Sequence, residues 1–157
     1  MIIENINSKD FEKVMALERE IFKKNAFSHA LMDKFFQYSK EERNTLFLKL
    51  ETSSKKKELI GFIIIIKDRI DRVNIVNFLI NPRFQNKGYG SLLLKTAIDK
   101  IKIMGEIRNI VLNVQVNNTI AIRIYEKFNF KRHPNILEHY YQSGENSYVM
   151  ELIIENH

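Results

Sequence analysis

Apolar residues in this chain change spacing from segment to segment, and the changes mark out alternating strands and helices. Residues 1–6 alternate well enough to predict a first strand. Phe11, Val14, Met15, Leu17, Glu18 and Phe22 then recur at intervals of three and four, which predicts a helix with one apolar face, capped by Asn7 or Ser8. Residues 25–28 break the pattern. Ser28 can cap a second helix over residues 30–38, with Leu31, Phe35 and Tyr38 on one side. Residues 46–50 and 59–66 read as strands joined by a lysine-rich turn. The second is β-branched and almost wholly apolar, as suits a strand covered on both faces. A turn at 68–71 leads into a further strand at 73–80.

Periodicity returns to helical over residues 89–104, with Gly105 as a C-terminal stop. Residues 110–116 alternate as a strand, and Asn117 or Asn118 caps a helix that ends near Phe128. Tyr140-Tyr141 and residues 148–154 are expected as the last two strands, paired across a turn containing Ser143-Gly144. The order β-α-α-β-β-β-α-β-α-β-β predicts an α/β fold in one domain over residues 1–157, a mixed sheet flanked by helices. No repeat, low-complexity tract or linker interrupts it.

Composition narrows the function classes. At 45% hydrophobic and 28% charged residues, the 157-residue chain is an ordinary globular domain in size and balance. It has no apolar run long enough for a transmembrane helix and no secretory pattern in Met1-Ile-Ile-Glu-Asn, so a cytoplasmic location without membrane partners is expected. With no cysteine, disulfides, thiolate metal sites and a cysteine nucleophile are excluded. His29, His133 and His157 show no ligand-like grouping, so no metal is expected. Part of the net charge of +6 sits in Lys55-Lys56-Lys57, an expected solvated turn with no interleaved aromatic residue. It therefore does not argue for nucleic acid. A positive field also draws phosphate-bearing small molecules.

The candidate chemistry begins at Asn81-Pro-Arg-Phe-Gln-Asn-Lys-Gly-Tyr-Gly-Ser91, between a predicted strand and a predicted helix. Such a turn can aim backbone N–H groups and a helix N-terminus at one anion. The spacing Gln85-x-x-Gly88-x-Gly90 lacks the lysine of a P-loop and the third glycine of a dinucleotide fingerprint. It resembles the coenzyme-A pyrophosphate loop of the GCN5-related N-acetyltransferase (GNAT) family. Residues 112–130, with Leu112, Val114, Asn118, Ala121, Tyr125 and Phe130, are similar to that family's next strand and helix. His139-Tyr140-Tyr141 resembles the Asn-Tyr-Tyr of its RimI-like, N-terminal protein acetyltransferase branch. Together these matches span residues 61–152.

The resemblance implies a mostly antiparallel twisted sheet and transfer of an acetyl group from acetyl-CoA to a protein or peptide N-terminus, with CoA as product. Cofactor contacts then fall on Phe78, Leu79, Ile80, Gln85, Asn86, Lys87, Gly88, Tyr89, Gly90, Ser91, Asn118 and Tyr125. By the same carry-over the backbone of residues 78–80 binds the pantetheine arm and polarises the thioester, and Tyr125 is the general acid. Its phenol, with an ordinary pKa of about 10, is protonated at neutral pH. The chain departs from the branch at Asn113, where RimI-type enzymes carry a glutamate taken as base. Asparagine cannot take a proton, so Glu18 and His139 remain the candidate bases, with Asn113, Tyr140 and Tyr141 as substrate-binding residues. The alternatives are the same chemistry on a small amine or a lysine side chain, or a non-catalytic acyl-CoA or nucleic-acid binding module. No partner subunit and no ribosome association can be read from the sequence.

Overall fold

The computed structural model describes residues 1–155, leaving the end of the expected 1–157 span and His157 outside the described residues. Its first half runs β1 (Ile2–Asn5), α1 (Phe11–Phe22), α2 (His29–Lys40), β2 (Thr45–Glu51), β3 (Leu59–Arg69) and β4 (Arg72–Ile80). The second half runs α3 (Tyr89–Ile103), β5 (Asn109–Gln115), α4 (Thr119–Lys127), β6 (Lys131–Leu137) and β7 (Ser147–Ile153). All seven strands join one sheet in the order β1-β2-β3-β4-β5-β7-β6. Every neighbouring pair is antiparallel except β4–β5. A parallel pair needs a crossover, and α3 supplies it.

The apolar run of β3 serves both faces of the sheet. Phe62 and Ile64 pack with Val14, Met15, Met32 and Phe36 of α1 and α2, while Ile63 and Ile65 pack with α3 and α4. This double covering is why β3 reads as nearly continuous hydrophobic sequence.

Three local expectations are corrected. The N-cap position of α1 is Asp10, not Asn7 or Ser8, and it makes no side-chain cap bond. Its carboxylate instead accepts from the Asn7 N–H and lies 2.7 Å from Lys49 Nζ. The buried face of α2 is Met32, Phe35 and Phe36, whereas Leu31 faces solvent and Tyr38 is only half-buried. Finally, the penultimate strand is β6 at Lys131–Leu137, and Tyr140-Tyr141 belong to the loop after it. β6 is an edge strand exposed throughout its length. An edge tolerates the polar residues and Pro134 that disguise the segment as a loop.

Lys49, on β2, is buried and surrounded by Asp10, Glu51 at 3.1 Å and Glu4 at 3.3 Å. Burial lowers its pKa, but hydrogen bonds to Asp10, Glu51 and Glu4 outweigh that effect and push it up to about 12. The cluster fastens β1 and the start of α1 to the sheet. The lysine-rich β2–β3 connection is exposed, as expected.

One irregularity of the sheet creates the site. β4 and β5 pair from Arg72↔Asn109 to Ile75↔Leu112 and no further. At the same level the β3–β4 register steps from Ile65↔Ile75 to Ile64↔Asn77, so Val76 is an extra, unpaired residue. A bulge bends its strand and increases its twist. Beyond it, residues 76–80 diverge from β5 and leave a wedge-shaped opening in the sheet.

Candidate active site

The wall of that opening formed by the turn into α3 is an anion cradle. Asn86 and Gly88 have φ of 62° and 87°, left-handed values separated by Lys87. Alternating hands turn successive N–H groups to one side. α3 follows at once, with Gly88 as an N-cap that lends no side-chain bond. The N–H groups of residues 86–91 accordingly have no protein acceptor among the described residues. Gln85, Asn86, Gly88, Gly90 and Ser91 line a cavity of about 220 Å³ there, joined by Arg123 of α4. These free N–H groups, the helix terminus and the guanidinium fit a pyrophosphate. The Gln85 side chain donates to the Ile80 carbonyl at 3.0 Å, fastening the turn to the strand.

Lys87 and Tyr89 stand beside this lining, with the ammonium 5.9 Å from the Phe84 ring centre and the Tyr89 ring edge-on to Phe84. Gly90 is buried for packing. A Cβ there would lie 2.8 Å from Ile124 Cδ1.

The other predicted residues converge deeper in the wedge. Glu18, Phe78, Asn113, Asn118, Tyr125 and Tyr141 line one cavity of about 80 Å³. Asn118 caps α4 by accepting from the Ala121 N–H at 3.2 Å. Tyr125 lies one face along that helix, packed between Phe78 and Phe130 with ring centres 5.7 and 5.5 Å away. Burial holds its phenol well above the ordinary range, with the Tyr141 side chain adding to the shift. The side chains of Phe78 and Ile80 join the core on the α3–α4 side and that of Leu79 the core opposite, leaving only the strand's backbone for recognition.

Glu18 is not a surface residue. It is 1% exposed, on the apolar face of α1. Oε2 accepts from the Phe27 N–H at 2.9 Å, and Oε1 has no hydrogen-bond partner among the described residues. Desolvation raises its pKa, partly offset by the Phe27 N–H, the Asn77 amide and the charge of Arg19. A buried carboxylate whose pKa is raised, with a free oxygen in a cavity, is equipped to take a proton more readily than an exposed one. His139 sits elsewhere. Its ring is within 3.1 Å of the Gly144 carbonyl, in the β6–β7 loop, and it does not line the cavity.

An open groove of about 620 Å³ leads into this cavity and shares Asn25, Phe27, Ile75, Val76, Asn113 and Tyr141 with it. Tyr140 lines only the groove, its ring edge-on to Tyr141 at 4.9 Å. Burial pushes the Tyr141 phenol up to about 12, despite a hydrogen bond with Ser147. Asn113 donates to the same Ser147 Oγ at 3.2 Å. Two 3.0 Å bonds between Asn25 and Ser143 tie the α1–α2 connection to the β6–β7 loop. Sequence reading missed Asn25, Phe27, Asn77, Arg123 and Ser147. They carry no motif, and only the sheet's divergence brings them together.

The model of the acetyltransferase (GNAT) family matches residues 11–130. The chain belongs to this family. It is 36% identical over 77 residues to an N-alpha-acetyltransferase of Sulfolobus acidocaldarius, which is 49% of this chain and 45% of the relative. The chain thus spans about half the length of the curated relatives it matches. Among solved structures, Ard1 from Thermoplasma volcanium superposes with a TM-score of 0.83 at 23% identity, over 99% of this chain and 98% of that one. Arabidopsis thaliana NAA60, solved in complex with acetyl-CoA, gives 0.82 at 20% identity over 99% of both chains. The GNAT fold is therefore that of the whole described chain, and the cradle and cavity lie in its wedge. No helix among the described residues is long and apolar enough to cross a membrane.

Proposed function

We propose that the protein is an acetyl-CoA-dependent N-α-acetyltransferase that acts on the amino terminus of a protein or peptide. The observation that carries this reading is the continuity of the neutral groove with a cavity holding both Glu18 and Tyr125, next to the anion cradle. Acetyl-CoA supplies an activated acetyl thioester and a diphosphate handle. The turn at residues 86–91 binds that handle through its free N–H groups and Arg123. Glu18 Oε1 takes the proton of the amine, which is partly neutral already because an α-amine has a pKa of about 7.7–8.0. Tyr125 Oη holds the proton for the leaving sulfur. The amine nitrogen bonds to the acetyl carbon as the carbon–sulfur bond breaks. Burial favours proton uptake at Glu18 and keeps Tyr125 protonated until the sulfur leaves, and the proton held by Glu18 then restores the tyrosine hydroxyl.

A small polyamine would call for a carboxylate-lined acceptor site, and the groove has none. Incubation with acetyl-CoA and a library of free-amine peptides, read by mass, tests the reading. N-terminal mass gains of one acetyl group are expected. Tyr125→Phe is expected to lower turnover by about 10²–10⁴-fold with acetyl-CoA affinity retained, because the ring packing is kept. A protein that binds acetyl-CoA but modifies no N-terminus would overturn the proposal.

A further inference from the structure

The residues lining the acceptor groove carry no formal charge, in a chain of which 28% of the residues do. Phe27 and Leu31 line it from the α1–α2 side, Ile75 and Val76 from β4, and Tyr140 from the β6–β7 loop. Leu31 and Tyr140 are 36% and 51% exposed. Large side chains left in water beside a polar cavity mark a surface that is covered when ligand binds. The remaining polar lining consists of neutral groups, among them the amides of Asn74, Asn113 and Gln142.

The groove's position fixes what lies in it. An amine that reaches Glu18 Oε1 in the inner cavity leaves its first side chain in the section shared with the groove, at Phe27, Ile75 and Val76. A carboxylate there would leave water for a wall without Lys, Arg or His, and would approach the negative charge of Glu18. A lysine or arginine head would find no carboxylate along the groove wall. An apolar side chain loses nothing and covers Leu31 and Phe27. The pair of hydrogen bonds between Asn25 and Ser143 ties the two walls together.

We infer that the acceptor is an N-terminus whose first side chain is uncharged and apolar, seated against Phe27, Ile75 and Val76 and extending outward to Leu31. This rests on the N-α-acetyltransferase reading. The test uses a peptide series identical except for a first residue of Met, Leu, Phe, Asp, Glu or Lys, with kcat/KM measured from CoA release. Met, Leu and Phe peptides are expected to exceed the charged ones by at least about tenfold. Leu31→Arg is expected to raise the ratio of Asp and Glu peptides to Leu peptides by about tenfold, with the dissociation constant for acetyl-CoA unchanged. Equal kcat/KM across the series in the wild type, or an unaltered ratio in Leu31→Arg, overturns the assignment and leaves N-α-acetylation standing. Acetylation of none of the peptides by protein that binds acetyl-CoA overturns both.

Discussion

The Phe27 N–H donates to Glu18 Oε2 at 2.9 Å, so the connection that walls the acceptor groove also fixes the carboxylate at its inner end. One oxygen is spent on that bond and the other has no hydrogen-bond partner among the described residues. On the proposed function, the arrangement separates positioning from proton transfer within a single side chain.

Glu18→Gln retains an acceptor for Phe27 and removes the titration. It is expected to lower kcat by about 10²–10⁴-fold and to abolish the acidic limb of the rate profile, with acceptor peptide saturating. The limb arises because the rate needs the ionised form, which is lost as pH falls through the raised pKa. The stability effect has the opposite sense. A carboxyl whose pKa is raised by folding contributes stability that is full below its unfolded pKa and lost as pH rises through the folded one. At neutral pH Glu18→Gln is therefore expected to leave the melting temperature unchanged or higher. A variant with full activity and an intact limb would remove Glu18 from the chemistry.

The two glycines of the cradle are needed for different reasons. Gly88 has open space around its missing Cβ but a φ of 87°, whereas Gly90 meets Ile124. Both Gly88→Val and Gly90→Val are expected to weaken acetyl-CoA binding at least about tenfold, or roughly 1.4 kcal/mol. Gly88→Asn, which tolerates a left-handed backbone, is expected to bind almost as the wild type does. Only Gly90→Val should also lower the melting temperature through the α3–α4 contact. Calorimetry and thermal unfolding distinguish the two. Equal losses for Gly88→Asn and Gly88→Val would mean that φ is not what matters.

The element order was legible because helices and strands here bury different periodicities, and the cradle because its glycine spacing is local in sequence. Glu18 is harder to place. Its position on the apolar face of α1 is readable, but a carboxylate there looks like a boundary residue until the divergence of β4 and β5 provides a cavity for it. β6 escaped because an exposed edge strand has no hydrophobic alternation to show. Tyr140 and Tyr141, expected as substrate-binding residues in a strand, both line the groove but lie in a loop. Their location depends on the long-range bonds of the loop that follows β6, and sequence spacing does not report these.

Lys49 carries a prediction on stability alone. Lys49→Met leaves Asp10 buried without its cation and Glu51 with only the more distant Lys57, at 3.9 Å, and breaking a buried pair typically costs about 3–5 kcal/mol. Urea unfolding should show this as a lower midpoint with an unchanged slope. In the wild type the contribution of Lys49 is full below the ordinary lysine pKa, near 10.4, and is lost as pH rises through about 12. A midpoint unaffected by Lys49→Met would show that the carboxylates find water or protons at little cost.

Asn113 offers a test by rescue. It lines both groove and cavity, and its amide donates to Ser147 Oγ at 3.2 Å while Ser147 itself donates to the Tyr148 carbonyl. Asn113→Ala leaves the second of these bonds in place, so turnover is expected to fall by less than about tenfold. Asn113→Glu puts a second carboxylate into the cavity that holds Glu18. Like charges raise each other's pKa, so the acidic limb should move to higher pH in this variant. In Glu18→Gln, by contrast, the same substitution supplies the only carboxylate in that cavity, and it is expected to recover at least about tenfold of the lost rate. The two backgrounds thus predict effects of different kinds from one substitution. If Asn113→Glu neither shifts the limb in the wild type nor raises the rate of Glu18→Gln, the cavity is not where the amine loses its proton, and deprotonation through solvent replaces a dedicated base.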